Sequence, residues 1–531
     1  MSIKRIGSIF FLALTIKAAF IFIAYVLPFS ILNLIGWKVS DHGTLINYAP
    51  EVWLSLLALV FGTLIIVVSI ASENTPKLID LFIGDPIGRL YIWLIMLSSL
   101  ENIYLQLFGI ASTTLVANLI FINSYVLLPC FVMLAIPYAF YILKNTKNDN
   151  VIRRIYKENI RALIASKDDT KVDTNRLILF ETINQLHDLL QYIQFKEPKG
   201  DIINRMGKSL RLYIELKRTF PDSYFELSDL IKSDISFRTL GEKLAQMETK
   251  RTFYEHKVLK VLGTTYLLLI RDSHYELASL CGVELFETGK TATIHHDDFV
   301  IDCVVVHFNT FLRYGINHGL RTREIRNVYN TLFHYSHFAH LFVEIREHNR
   351  ILQCCQYFLF YTNEVARLSL SEPLFIFLIE AFAWELKKIL IALNRNGFPR
   401  EFQKTVLKLF TNLRLAEKQK IPNWRHINYN GVRLIQIGLC LYYLSKDESE
   451  YNEIMTDSIV SDLSELSRGD AQELLTRDCN LLEEEIEEFW EETDQGNRNI
   501  FYSPDKTQIP KFSAYIASKV GELDTPDFQM K

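Results

Sequence analysis

The chain has 531 residues, 49% of them apolar, and a formal net charge of −4. Its basic residues are diffuse and carry no recognised nucleic-acid motif, so no nucleic-acid partner is expected. The seven cysteines include no C-x-x-C pair and six fall in the part predicted to be cytoplasmic, so reduced thiols are expected rather than a disulfide framework.

Residues 1–143 contain only 12 Asp, Glu, Lys or Arg. Four apolar runs, about 6–27 (extending toward Trp37), 52–71, 90–110 and 119–143, each supply the roughly 20 residues that a helix needs to cross about 30 Å of hydrocarbon. The first run is longer than a signal-peptide core, contains Lys17 and is closed by no A-x-A site, so it reads as a span. Lys4, Arg5, Lys77, Arg89, Lys144 and Lys147 fall on one side of the expected bilayer and only Lys38 on the other. Both termini are therefore expected on the cytoplasmic side of an inner (plasma) membrane.

Lys17 and Glu101 lie eleven residues into the first and third runs, which cross in the same direction. Their depths therefore match by helical rise. A lone ion in hydrocarbon costs about 2.5–3.5 kcal/mol, so the two are expected to pair inside the bundle. Such a pair lines a polar pathway or ties two helices; the alternative is Lys17 snorkelling to the inner surface. Asn102, Gln106, Asn118 and Asn123 extend the polar character of the third and fourth runs. Pro129 and Pro137 predict a bent or locally broken fourth helix.

After Lys144 most segments show helical periodicity. Leu179, Ile183, Leu186, Leu190 and Ile193 form one apolar stripe. Residues 196–201 (KEPKGD) predict a break, Phe220 and Pro221 end the next helix, and 242–271 reads as a single long helix. Residues 374–393 are apolar, yet Glu380, Glu385, Lys387 and Lys388 mark a buried soluble helix rather than a fifth span. Further breaks fall at 394–399 and 421–424; 291–294 is the one short strand candidate, and no repeat of fixed period is visible. The expected fold is all-α: an N-terminal four-helix transmembrane bundle (1–143), helical cytoplasmic lobes at 144–289 and 290–446, and an acidic region at 447–531.

Charge is unevenly spread over this body. From Asp447 to Asp494, 18 acidic residues stand against Arg468 and Arg477, whereas 144–446 carries a net +11. A basic body beside a membrane is attracted to anionic lipid headgroups at about 1 kcal/mol per residue. Residues 481–490 read as an amphipathic helix with a solvated acidic face.

Little points to catalysis. His337, His340, Glu344 and His348 share one face if a single helix carries them, a donor set suited to zinc or non-haem iron. No H-E-x-x-H accompanies them, and a partly buried polar stripe fits the same spacing. Cys354 and Cys355 sit in an apolar run and read as core. Thr288–Gly289–Lys290–Thr291 resembles the end of a phosphate loop, but Glu284 occupies the position of the required glycine, so no P-loop is expected. With no G-x-S-x-G, dinucleotide fingerprint or kinase set, neither catalytic residues nor a cofactor are expected.

Two stretches carry a family resemblance. Residues 69–85 (SIASENTPKLIDLFIGD) and Gly315–Ile316–Asn317 within 299–342 are similar to an uncharacterised bacterial family of four-pass membrane proteins, a domain of unknown function. That family has Ser-Pro where this chain has Thr75–Pro76, and Asp-Pro where it has His318–Gly319. The resemblance implies four spans, a cytoplasmic domain and a turn at Gly315–Asn317, and it implies no activity. The leading expectation for function is a homo-oligomeric channel or transporter-like assembly gated by the helical body. A membrane-anchored sensor or scaffold is the alternative, and a metal-dependent enzyme using the histidine face ranks third.

Overall fold

In the computed structural model the described residues are 3–26, 43–74, 86–108, 114–145, 147–168, 172–238, 240–241, 243–415, 430–463, 466, 468–483 and 506–521. All regular structure among them is helical. The expected extension of the first run toward Trp37, most of 69–85, the break at 421–424 and residues 484–490 lie outside them. The chain divides into two compact units, Met1–Glu158 with Gln185–Pro198, and Asn159–Asn184 with Lys199–Lys531.

The first unit opens with α1 (Ile3–Val26), α2 (Gly43–Asn74) and α3 (Pro86–Phe108). A fourth apolar element follows in three pieces: α4 (Thr114–Ile120), a π-helical stretch (Phe121–Leu127) and α5 (Leu128–Asn145). The π-helical stretch has a local cause. Pro129 lacks an N–H and its ring crowds the carbonyl four residues back. Widening the preceding turns relieves that clash, and the Leu128 N–H bonds the Asn123 carbonyl five residues away instead. Pro137 is absorbed within α5, so only the first of the two expected interruptions changes the helix type.

Contacts between these helices fix their directions. Phe10 meets Trp93 at 4.9 Å and Lys17 meets Ser98 at 2.9 Å, so α1 and α3 run parallel. Asn118 donates to the Ala24 carbonyl while Asn123 reaches Lys17, so the fourth element runs antiparallel to α1. Trp53, Leu56 and Val60 of α2 share a core with Tyr91, Ile95, Ile122, Phe131 and Tyr138. On the outside, Phe11, Phe22, Met133, Ile136 and Phe140 are each 65–73% exposed.

By length and composition four helices are able to cross a membrane: Ile9–Val26, Pro86–Leu107, Asn118–Ile142 and Asp298–Thr322. The first three leave most of their apolar surface uncovered by protein, with 17–33% of each window buried. Asp298–Thr322 is 56% buried and belongs to the second unit. Within α2 the described apolar stretch is the shorter Tyr48–Thr63.

Beyond α5 come α6 (Asn148–Ala165) and α7 (Val172–Tyr192), both crossed by the division between units, then α8 (Lys196–Leu216) and α9 (Lys243–Lys250). The break expected at 196–201 falls earlier, at 193–195; Lys196–Asp201 forms the start of α8, where Pro198 is tolerated because first-turn N–H groups have no intrahelical acceptor. The single helix expected over 242–271 is two helices, because Arg251 adopts a left-handed φ of 55° between them.

From there the second unit is a stack of helix pairs: α10 (Phe253–Arg271) with α11 (Tyr275–Ile294), α12 (Asp298–Thr322) with α13 (Arg326–Glu344), α14 (His348–Ser369) with α15 (Ile376–Arg395), α16 (Arg400–Leu415) with α17 (Asn430–Ser445), and α18 (Ser449–Leu463) with α19 (Arg468–Glu483). First helices pack on first helices (α10 on α12, α12 on α14, α14 on α16, α16 on α18), and second helices do the same from α11 through α19. This is the layering of an α-solenoid. A final helix, α20 (Ile509–Gly521), covers α17, α18 and α19.

The repeat missing from the sequence is therefore present in the fold, and its punctuation is a recurring turn. Arg251, His296, Arg346, Gly397 and Asp447 are left-handed, at separations of 45, 50, 51 and 50 residues. Ser273 takes the same conformation within the first pair. At Ser273, for example, its N–H bonds the Ile270 carbonyl and the His274 N–H bonds the Leu269 carbonyl, the paired bonds of a Schellman end. Residues 291–294, the strand candidate, form the last turn of α11. Gly315–Asn317 lies inside α12 and is no turn; Gly315 is where Val328 and Tyr266 approach, 3.1 and 3.2 Å from where a Cβ would stand. Gly289, the expected lobe boundary, is likewise inside α11, pressed against Phe338.

Part of the acidic region folds onto this stack. Asp478 of α19 pairs with Arg433 of α17 at 2.5 Å, with both side chains buried. Lys404 pairs with Glu450 at 2.5 Å, and Lys519 of α20 pairs with Asp457.

Two substitutions test these backbone assignments with opposite signs. A left-handed non-glycine residue costs about 1–2 kcal/mol and glycine loses about 0.5–1 kcal/mol of chain entropy, so Ser273→Gly is expected to stabilise by up to about 1 kcal/mol. Gly289→Ala places a Cβ 2.5 Å from Phe338 Cε2 and is expected to cost about 1–3 kcal/mol. Chemical denaturation of each variant reads both values.

Candidate functional site

The strongest concentration of polar chemistry in the first unit sits where α1, α3 and the π-helical stretch meet. Lys17 is 5% exposed, and its Nζ lies 2.5 Å from Glu101 Oε2. The same ammonium donates to Ser98 Oγ at 2.9 Å and reaches Asn123 Oδ1 at 3.5 Å. An ammonium has three protons, and here each has an acceptor. Asn123 Nδ2 donates to Glu101 Oε2 at 2.9 Å and to the Ser98 carbonyl at 3.2 Å. Asn102 Nδ2 donates to that carbonyl at 3.0 Å.

Each partner is delivered by local structure. Lys17 projects from the middle of an unbroken helix, and Ser98, Glu101 and Asn102 lie three or four residues apart on one side of α3. Asn123 sits inside the π-helical stretch, so the distortion associated with Pro129 helps aim its amide at the pair. The structure thus brings together Lys17, Glu101, Asn102 and Asn123, four residues marked in the sequence. It adds Ser98, whose only signal was a small polar Ser98–Ser99 step inside an apolar run. Gln106 is exposed, and Asn118 bonds the Ala24 carbonyl two turns along α1 from Lys17.

The histidine face does not assemble. The candidate metal set assumed one helix over 337–348, but α13 ends at Glu344 and Arg346 turns the chain with φ 61°. His348 opens α14, packed on Phe398 and Phe402 at 5.1 and 4.7 Å. His337 donates from Nδ1 to the Phe333 carbonyl, and its ring lies tilted 4.1 Å from the Phe333 ring. His340 is held near pKa 4 by burial, offset in part by Glu385. Glu344 is exposed. Among the described residues no three His, Cys, Asp or Glu side chains are grouped as a metal requires.

Buried ionisable groups elsewhere in the second unit act as ties. Lys217 lies 2.6 Å from Glu255 and 2.7 Å from Asp297, joining the end of α8 to α10 and to the turn before α12. Burial raises the Glu255 carboxyl despite this partner. Lys257 bonds both oxygens of Asp234 at 2.9 Å. Cys303 Sγ lies 3.4 Å from His256 Nε2, the pairing of a thiol nucleophile with a base. Burial pushes this thiol up to about 12 and the imidazole down to about 4, so both stay neutral and no thiolate forms.

Comparison of the chain with protein-family models, with curated proteins and with solved structures finds no match.

Two outcomes are expected. Glu101→Gln leaves a buried ammonium without its counter-ion and is expected to destabilise the first unit by about 3 kcal/mol, whereas Lys17→Met combined with Glu101→Leu removes both charges and is expected to cost less than the single change. Thermal unfolding of the full chain in detergent reads the difference. The second concerns His256, His334 and His340, each held near pKa 4 by burial against 6.5 when free. Between these values the unfolded chain binds protons that the folded chain does not, so stability falls as pH drops from about 6.5 toward 4. Glu380, raised to about 7 by burial, and Glu255 and Glu284, also raised by burial, work in the opposite sense. His307 and His318, both lowered, add to the three histidines and outnumber them, and Asp234, also lowered, joins them at the acid end. A Tm that falls on acidification from neutrality to pH about 5, less steeply in His340→Gln, is the expected result.

Proposed function

We propose that the protein is a membrane-anchored scaffold: the N-terminal apolar helices cross the bilayer and the stacked helix pairs offer an extended surface to partner proteins. The observation that carries this reading is the contrast between the two units. The second unit stacks ten helices in two rows, and such stacks serve chiefly as long binding surfaces because each layer contacts only its neighbours. The first unit holds the Lys17–Glu101 pair in a saturated network, with no ammonium proton left to receive a passing solute. That favours an anchor whose charges tie α1 to α3.

Membrane insertion is supported by apolar surface on α1, α3 and α5 that the protein itself leaves uncovered. With α1 parallel to α3 and antiparallel to the fourth element, Lys4 and Lys144 fall at the same end of the helices. The excess of Lys and Arg at that end supports a cytoplasmic, inner-membrane assignment for it. Conduction through a homo-oligomer is the second reading, favoured by the buried hydroxyls of Ser99 and Ser124, which make no hydrogen bond beside the polar cluster.

Flux measurements separate the two. The full chain reconstituted into dye-loaded vesicles is expected to pass ions no faster than empty vesicles. Flux that Glu101→Gln alters would replace the scaffold reading with conduction.

A further inference from the structure

The start of α6 carries a surface whose charges nothing among the described residues answers. This helix begins three residues after α5 ends, and α5 closes the fourth apolar element. Val151, Ile152 and Ile155 are buried on one side of α6, while Arg153, Arg154 and Lys157 are exposed within one arc on the other. Lys144 in the last turn of α5 and Lys147 between the two helices are also exposed. Five cations are thus gathered in fourteen residues.

Their isolation is the informative point. Asp149 lies four residues before Arg153 and Glu158 four after Arg154, a spacing that commonly gives helical ion pairs. No such pair forms, and none of the five cationic side chains has a partner among the described residues. Unanswered like charges repel one another, so the arrangement gains from an external polyanion. Chain continuity says which one. Lys144 follows the crossing candidate Asn118–Ile142 by two residues, and α6 begins within six residues of Ile142, at most about 20 Å of extended chain.

We propose that Lys144, Lys147, Arg153, Arg154 and Lys157 bind the phosphate-bearing headgroups of anionic phospholipids, in the leaflet where the fourth apolar element ends. The proposal rests on the membrane reading above and names the lipid class that reading leaves open. Arginine suits the role through forked donation to phosphate oxygens, and lysine as a mobile point charge. Headgroup binding would hold the first turns of α6 flat against the bilayer surface.

The test uses the full chain in detergent micelles, titrated with phosphatidylglycerol or phosphatidylcholine, with bound lipid counted by native mass spectrometry. Wild type is expected to prefer phosphatidylglycerol, and the preference to weaken at high salt. At about 1 kcal/mol per cation, R153Q/R154Q/K157Q is expected to lose about 100-fold in that affinity, while R153K/R154K/K157R keeps most of it. Equal phosphatidylglycerol binding by wild type and the glutamine variant, or salt-insensitive binding by wild type, overturns the proposal. So does inorganic phosphate displacing the lipid at equal concentration, which would mark a site for the free anion. Incorporation into vesicles is scored on the same preparations: a chain that incorporates but shows no headgroup preference overturns this inference alone, and one that fails to incorporate overturns the membrane reading as well.

Discussion

The cost of an unpartnered ion away from water is the constraint on which the first unit depends. Lys17 is the one charge in the central four turns of α1, and nothing on α1 itself neutralises it. Its answer comes from 84 residues away, and the contact forces α1 and α3 into one register and one direction. Neither charge is worth much as a stabiliser, since an apolar pair of the same size packs at lower desolvation cost. What the pair supplies is specificity: a slip of either helix by one turn strands two charges. Asn123 extends the same logic to the fourth element, and the turn that delivers it exists because Pro129 cannot sit in an ordinary α-helix.

The second unit meets a different constraint. A lone helix pair cannot bury its apolar faces, so each stacks on the next, and residues such as Phe308, Tyr335, Phe358 and Phe382 form ring contacts that run from α12 through α15. The end pairs need covering, and α20 lies across α17, α18 and α19. Charge marks the same place: Asp478, in the most acidic stretch of the chain, is fully buried because Arg433 waits for it.

Much of this was legible in the sequence. Hydropathy located three of the crossing candidates, in α1, α3 and the fourth element, and a shorter apolar stretch in α2, and matched depth singled out Lys17 and Glu101, because both signals depend on local composition and helical rise. Glu380, Glu385 and Lys387 correctly marked 374–393 as a packed helix in the second unit. The helix-pair repeat was invisible for a physical reason. Its turns need a left-handed residue, and glycine, the usual marker, stands at only one of these ends, Gly397. Arg251, Ser273, His296, Arg323, Arg346 and Asp447 occupy the others at an energetic cost, so the punctuation carries no composition signal. The histidine face failed for the same reason: the turn at Arg346 separates His348 from His340. Gly315 and Gly289 were mistaken for breaks because a glycine inside a helix signals close packing as readily as a turn.

The most direct test of the central claim is a distance between the two charges in lipid. Solid-state NMR on the full chain in bilayers, with Lys17 Nζ and Glu101 Cδ isotopically labelled, measures their dipolar coupling. The account predicts a strong coupling, as the 2.5 Å contact between Nζ and Oε2 requires. A lysine signal with no coupling to any carboxylate would contradict it.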